Sequence, residues 1–164
     1  MSEPSVFISY SHKDEEWKDR LITHLGVLEK QGYLKTWDDR QIEGGDDWRS
    51  EIENAMDSAH VIVPMITADF LTSDFILNEE VTKMLERKRK ARVRIMPLIV
   101  KPCAWDTVKW LKQLQARPKD GRPLMKGDEC QIEEDLTAFA KEIFDLLGRV
   151  PKEPSTTHDE PFLI

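Results

Sequence analysis

Two cysteines, Cys103 and Cys130, are all that the 164 residues contain. They are too few and too far apart for a disulfide framework or a four-ligand zinc site, and are expected as ordinary core or loop thiols. No apolar run approaches the roughly 18 to 20 residues that cross a bilayer, so no membrane partner is expected. The opening "MSEPSVFISY" enters a strand-like run without the basic and apolar regions of a signal peptide, and a cytoplasmic location is expected. The turn after that run, "SYSHKDEEW", has no glycine, which excludes the G-x-G-x-x-G dinucleotide fingerprint. A G-x-x-x-x-G-K-[ST] phosphate loop is also missing. So are the paired carboxylates that a phosphoacceptor domain carries after its first strand, where Tyr10 and Ser11 stand instead. With no H-E-x-x-H, C-x-x-C or G-x-S-x-G, metal hydrolysis and serine-nucleophile chemistry lack support, and no metal or cofactor is expected. Histidines 12, 24, 60 and 158 are scattered and read as surface or structural residues.

Charge is present in quantity. Acidic residues number 31 against 24 basic, a net −7, so direct nucleic-acid binding is not expected. The run "RKRKARVR" (Arg87 to Arg94) concentrates six cations and reads as a solvated helix end, where positive charge complements the helix dipole.

Strand-like and helix-like segments alternate, which predicts an α/β domain with a mainly parallel sheet. "VFISY" (Val6 to Tyr10) is the first strand. Ser11 with Asp14 three residues on predicts a capping box, before a helix with Trp17, Leu21, Leu25 and Leu28 on one stripe and Gly32 as its terminator. "LKTW" (Leu34 to Trp37) is a short strand leading into the polar loop "DDRQIEGGDD", whose Gly44 and Gly45 permit unusual backbone angles. Trp48, Ile52, Ala55 and Met56 predict a helix. "HVIVPMI" (His60 to Ile66) predicts a central strand buried on both faces, with Pro64 arguing for a strand end or bulge. A helical segment spans "SDFILNEEVTKML" (Ser73 to Leu85), and a fourth strand runs from Arg94 to Val100. "AWDTVKWLKQL" predicts a short helix, Pro123 to Met125 a short edge strand, and "QIEEDLTAFAKEIFDLLG" a closing amphipathic helix. Residues 1–150 are thus read as one domain. Residues 151–164, with three prolines, read as a linker-like tail leading to a further domain or a partner-binding segment.

Four stretches in order, "VFISYSHKDEEW", "WDDRQIEGGDDWRSEIENAMDSAHVIV", "ITADFLTSDFILNEEVTKML" and "RVRIMPLIVKPCAW", resemble the TIR (Toll/interleukin-1 receptor-like) domain family, particularly its bacterial members. The resemblance implies a flavodoxin-like, five-stranded parallel sheet flanked by helices, with the family's loop after the second strand at Asp38 to Asp47. Many members have Pro-Gly where this chain has Gly44-Gly45. Some members are adaptors that self-associate to relay a signal, whereas others hydrolyse or cyclise NAD+ with one glutamate that follows an aromatic residue. This chain has Phe75 where tryptophan is common and Ile76 where cysteine is common.

The resemblance leaves two candidates for that glutamate. In many members it comes four residues after the aromatic, which selects Glu79; in a bacterial group it comes one later, which selects Glu80. On a helix turning about 100° per residue, Ile76, Leu77, Val81, Met84 and Leu85 define the buried face, with Glu80 roughly 65° from its centre and Glu79 roughly 165° away. Glu80 is therefore expected at the flank of the core, near the strand ends where open α/β sheets place ligands, and Glu79 in water. Glu80 would bind the ribose hydroxyls of NAD+, Phe75 would wall the nicotinamide side, and Tyr10, Ser11, Asp38, Asp39, Gly44 and Gly45 would line the opening. The family further implies activity on homo-oligomerisation, under an activator or sensor domain beyond the C-terminus, in bacterial stress or phage-defence signalling. A non-catalytic adaptor, or a virulence mimic that engages host TIR proteins, is the competing reading. Hydrolysis and cyclisation share the first bond cleavage, and the sequence does not choose between them.

Overall fold

The computed structural model of the chain describes residues 3–38, 48–90 and 93–148. Its centre is a five-stranded parallel sheet. β1 (Ser5–Ser9) lies between β2 (Lys35–Trp37) and β3 (Val61–Ile66), and the far side of β3 pairs first with β4 (Arg94–Ile95) and then with β5 (Leu98–Ile99). The helices are α1 (Glu15–Lys30), α2 (Trp48–Asp57), α3 (Ala68–Leu71), α4 (Thr82–Lys90), α5 (Lys109–Lys112) and α6 (Glu129–Gly148).

Alternation along β1 divides the core into two layers. Val6, Ile8 and Tyr10 pack with Leu21 and Leu25 of α1 and with Leu136, Phe139 and Ile143 of α6. Phe7, on the opposite face, packs with Ile52 and Met56 of α2, with Ile76 and Val81, and with Met84 of α4. β3 is buried along its whole length, as expected of a strand covered on both sides. Gly32 ends α1 as expected, with φ of +81° and its N–H donating to the Glu29 carbonyl at 3.0 Å.

The strand expected from Arg94 to Val100 is divided, and Pro64 explains where. Arg94 N–H donates to His60 O and Met96 N–H to Ile62 O, so the even-numbered residues of β3 face this neighbour. The next ladder bond would run from residue 64 to the Met96 carbonyl, and proline has no N–H to give. Pairing lapses at Met96 and Pro97, then resumes with Met65 and Ile66 against Leu98 and Ile99.

Four other expectations are corrected. Pro123 to Met125 is not an edge strand: Leu124–Lys126 forms a 3-10 turn with Leu124 fully buried, and Arg117 instead bridges to Leu98 beyond β5. Proline at 123 offers no ladder N–H, and a two-residue remainder does not sustain pairing. The helix expected at "AWDTVKWLKQL" is two pieces, a 3-10 turn at Trp105–Thr107 and then α5. Ser11 caps only the short 3-10 turn His12–Asp14, accepting from Lys13 N–H at 3.3 Å. Asp14 makes no cap bond to α1, because its carboxylate is turned inward and committed elsewhere. The segment before α4 is the fourth: Ile76–Val81 is a π-helical turn. The loop glycines Gly44 and Gly45, Asp39 and the tail 151–164 lie outside the described residues.

Candidate active site

The C-terminal ends of β1, β2, β3 and β5 bring together polar residues that are distant in sequence. This edge, where β1 meets β3, is where an open parallel sheet places its ligand crevice.

Glu80 enters from the π-turn. The wider turn rotates less per residue than an α-helix. It therefore groups Glu80 on one face with Ile76 and Val81, both buried, and carries it past the flank position expected from an α-helical wheel into the interior at 2% exposure. Glu79 is swung partly inward by the same geometry and is half-buried, where full exposure was expected. The Ser9 hydroxyl donates to Glu80 Oε1 at 2.6 Å. Ser9 is the last residue of β1 and is itself 1% exposed.

Sequence reasoning named Tyr10 and Ser11 and passed over Ser9. The signal was present in the strand period: Ser9 shares its face with Phe7 and so points toward the layer that holds Glu80, whereas Tyr10 points toward α1 and α6. Tyr10 is buried, and its hydroxyl donates to Glu15 Oε1 at 3.1 Å. Ser11 is half-buried, and Phe75 is 37% exposed at the start of the π-turn.

A second constellation joins three strand ends. Asp14, 1% exposed, accepts from the Thr67 hydroxyl at 2.6 Å and from Lys101 Nζ at 2.7 Å. Thr67 in turn caps α3 by accepting from Phe70 N–H at 3.0 Å. The bond to Asp14 holds the Lys101 ammonium above its ordinary pKa. This network ties the turn after β1 to the residues that follow β3 and β5.

Asp38, which follows β2, is buried and lies 3.6 Å from Lys18 Nζ. Lys18 also reaches Glu15 at 3.1 Å and Asp19 at 3.0 Å, with the Tyr10 ring 5.3 Å from its nitrogen. Burial pulls the pKa of this ammonium down, but its bonds to Asp19 and Glu15 and the nearby Asp38 outweigh that and hold it up. Asp38 is thus part of an anchored start to the loop that follows.

The edge holds two deeply placed carboxylates, each accepting from a hydroxyl: Glu80 from Ser9, and Asp14 from Thr67 while also paired with Lys101, which fixes the neighbouring turns. Among the described residues no group of three His, Cys, Asp or Glu could hold a metal ion, and no helix is long and apolar enough to cross a membrane. The Cys103 thiol is pushed up by burial, which keeps it from being a ready nucleophile.

A family model described as TIR domain matches residues 6–126. A curated relative, an uncharacterized protein (y4lF) of Sinorhizobium fredii, is 34% identical over 152 residues, covering 93% of this chain. The chain spans about half of that relative, 46% of its length. Among solved structures, a heterodimer of the RPS4 and RRS1 TIR domains is similar with a TM-score of 0.60 at 13% identity, over 88% of this chain and 97% of that one. A diflavin flavoprotein A3 from Nostoc sp. is similar with a TM-score of 0.53 at 10% identity, over 91% of this chain and 96% of that one. At such identities both structures speak to the fold.

Proposed function

The chain belongs to the TIR domain family, and from that premise we propose that it is an NAD+-cleaving enzyme in which Glu80 acts on the ribose. The observation that carries this reading is the placement of Glu80: a carboxylate drawn into the switch-point edge of the sheet by a π-turn and held by Ser9 at 2.6 Å. π-Turns inside helices are frequent at functional sites, since they cost regular hydrogen bonding.

One carboxylate is enough for this chemistry. Glycoside hydrolysis usually needs a second group to protonate a leaving oxygen. Nicotinamide leaves as a neutral molecule from a positively charged pyridinium, so no general acid is required. Glu80 accepts hydrogen bonds from the ribose hydroxyls and stabilises the positive charge that develops at the anomeric carbon, while water or an adenine nitrogen attacks. Phe75, partly exposed beside it, supplies the wall for the nicotinamide ring. Asp38 and Asp39, with Ser11, Gly44 and Gly45, belong to the rim in this reading. Tyr10 holds Glu15 on the other face of the sheet and supports the rim from behind.

Burial of Glu80 to 2% means that the site must open before substrate reaches it. That requirement supports gating by association of copies, and a cytoplasmic effector of bacterial stress or phage defence whose trigger lies in the rest of a longer protein. The same burial favours a second reading, in which Glu80 and Ser9 only brace the core and the domain is an adaptor that works by TIR-TIR contacts.

The test is incubation of the protein at rising concentration with NAD+, followed by chromatography. Nicotinamide with ADP-ribose or its cyclic form, at a rate per molecule that climbs with concentration, supports the enzyme. Self-association of folded protein without nicotinamide release moves the weight to the adaptor.

A further inference from the structure

We propose that Trp37 is a specificity-determining residue for the oxidised dinucleotide: its indole is the face on which the cationic nicotinamide ring of NAD+ lies while Glu80 holds the ribose. This inference rests on the NAD+ reading above, and adds to it the group that tells a pyridinium ring from a neutral one.

Strand register puts Trp37 in the same row as the carboxylate. Phe7 of β1 pairs with Trp37 of β2, and β1 runs on two residues past that pair to Ser9. Side chains two apart on a strand share a face, so Phe7 and Ser9 point into one layer. That layer holds Ile76 and Val81 of the π-turn, and Trp37 packs against it as well. With strands about 4.8 Å apart and a rise of about 3.3 Å per residue, the backbones of Trp37 and Ser9 lie roughly 8 Å from each other. Ser9 in turn donates to Glu80 at 2.6 Å. Indole, phenyl, hydroxyl and carboxylate thus follow one another along the edge, and the indole stands at the C-terminal end of β2.

The indole is held as a platform. It stacks on Phe7 with centroids 5.2 Å apart and planes 16° from parallel, and Phe7 is 1% exposed, so the core backs one of its faces. Trp37 itself is half-buried, which leaves part of the ring open to a ligand. Trp17, by comparison, packs against the other layer and has Arg20 5.3 Å from its ring. A ring fixed in advance loses little freedom when a second ring stacks on it. Charge then supplies the selectivity. In NAD+ the nicotinamide is a pyridinium, and a cation over the negative face of an indole is attracted where a neutral ring is not. The ring of NADH is uncharged, and so is released nicotinamide. Trp37 therefore favours the substrate over both, and its hold weakens once the bond to ribose is broken.

The test sets 1-methylnicotinamide, a small pyridinium copy of the scissile ring, against neutral nicotinamide, with binding followed by saturation-transfer NMR at a protein concentration where copies associate. The unaltered protein should bind the cation at least about fivefold more tightly, a comparison that relies on no variant folding. Trp37→Leu should cut that preference to less than about twofold, and Trp37→Phe should keep part of it. With NAD+ as substrate, Trp37→Leu should raise KM at least about fivefold and leave kcat within about threefold, while the inhibition constant of NADH stays within about twofold. Equal binding of the two rings by the unaltered protein would overturn the proposal. So would a fall in kcat at unchanged KM in Trp37→Leu, the mark of a purely structural role. A preference that survives Trp37→Leu and is lost in Phe75→Leu would also overturn it, and would give the role to Phe75. Preference for the cation, lost in Trp37→Leu, in a protein that releases no nicotinamide from NAD+ would uphold the indole site and count against the catalytic reading alone.

Discussion

Ser9 and Glu80, 71 positions apart in the chain, meet at 2.6 Å where β1 ends against the π-turn, and both are buried. The hydroxyl supports the carboxylate in a place that water does not reach. Replacing Ser9 with alanine removes that donor and leaves a buried acceptor short of a bond, a loss of about 1.5–3 kcal/mol. Urea unfolding should show a lower midpoint at an unchanged slope. Ser11→Ala, by contrast, removes only an exposed 3.3 Å contact in a one-turn cap and should cost about 0.5 kcal/mol.

Lys101→Met should lower stability by about 3 kcal/mol, because it strands the Asp14 carboxylate, 1% exposed, without its cation. The pH dependence follows from the raised pKa of Lys101, whose largest cause is the bond to Asp14. A raised folded-state pKa means that the native protein holds the proton more tightly. The contribution is complete below the ordinary lysine value of 10.5 and is lost as pH climbs through the higher folded-state value. Thermal melts of the unaltered protein should therefore show an added alkaline decline above about pH 10.5 that Lys101→Met lacks.

Arg87 anchors two carbonyls at the end of α2. Its guanidinium donates to Met56 O, which also accepts from Ala59 N–H, at 2.6 Å and to Ala59 O at 3.1 Å, tying the end of α2 to the turn before β3. Arg87→Lys keeps the charge but not the two-pronged geometry, and should still cost about 1 kcal/mol by chemical denaturation. Arg89→Lys, at an exposed position of the same run, should change nothing measurable.

If the site opens through contact between copies, dilution should shut it. The rate of nicotinamide release per molecule should fall as the protein is diluted across the range in which sedimentation shows it dissociating. A constant specific activity across that range would remove the link between association and turnover.

The fold was legible because its signals are local. The short apolar run at Val6 to Tyr10, the apolar block from His60 to Ile66, and the spacing of Leu21 and Leu25 each specify an element, and the last of them its buried face. What was not legible depends on partners brought from far along the chain. Asp14 reads as the partner of Ser11 in a capping box until Thr67 and Lys101 arrive from the ends of two other strands. The split between β4 and β5 needs Pro64 and Met96 to be set side by side. The relative burial of Glu80 and Glu79 followed from the wheel in order but not in degree, because nothing in "ILNEEV" announces a π-turn. The basic run from Arg87 to Arg94 was read as one solvated helix end, and only the structure separates Arg87, spent on α2, from the exposed Lys88 and Arg94.

The central claim rests on one carboxylate. Glu80→Gln and Glu79→Gln should be compared with the unaltered protein for nicotinamide release from NAD+, at a concentration where all three associate equally and melt within a few degrees of one another. The account predicts a loss of at least 100-fold for Glu80→Gln and less than threefold for Glu79→Gln, since a stabilising group of this kind contributes roughly 10²–10³ in rate. Turnover by Glu80→Gln at the unaltered rate, or a selective loss in Glu79→Gln, would contradict it.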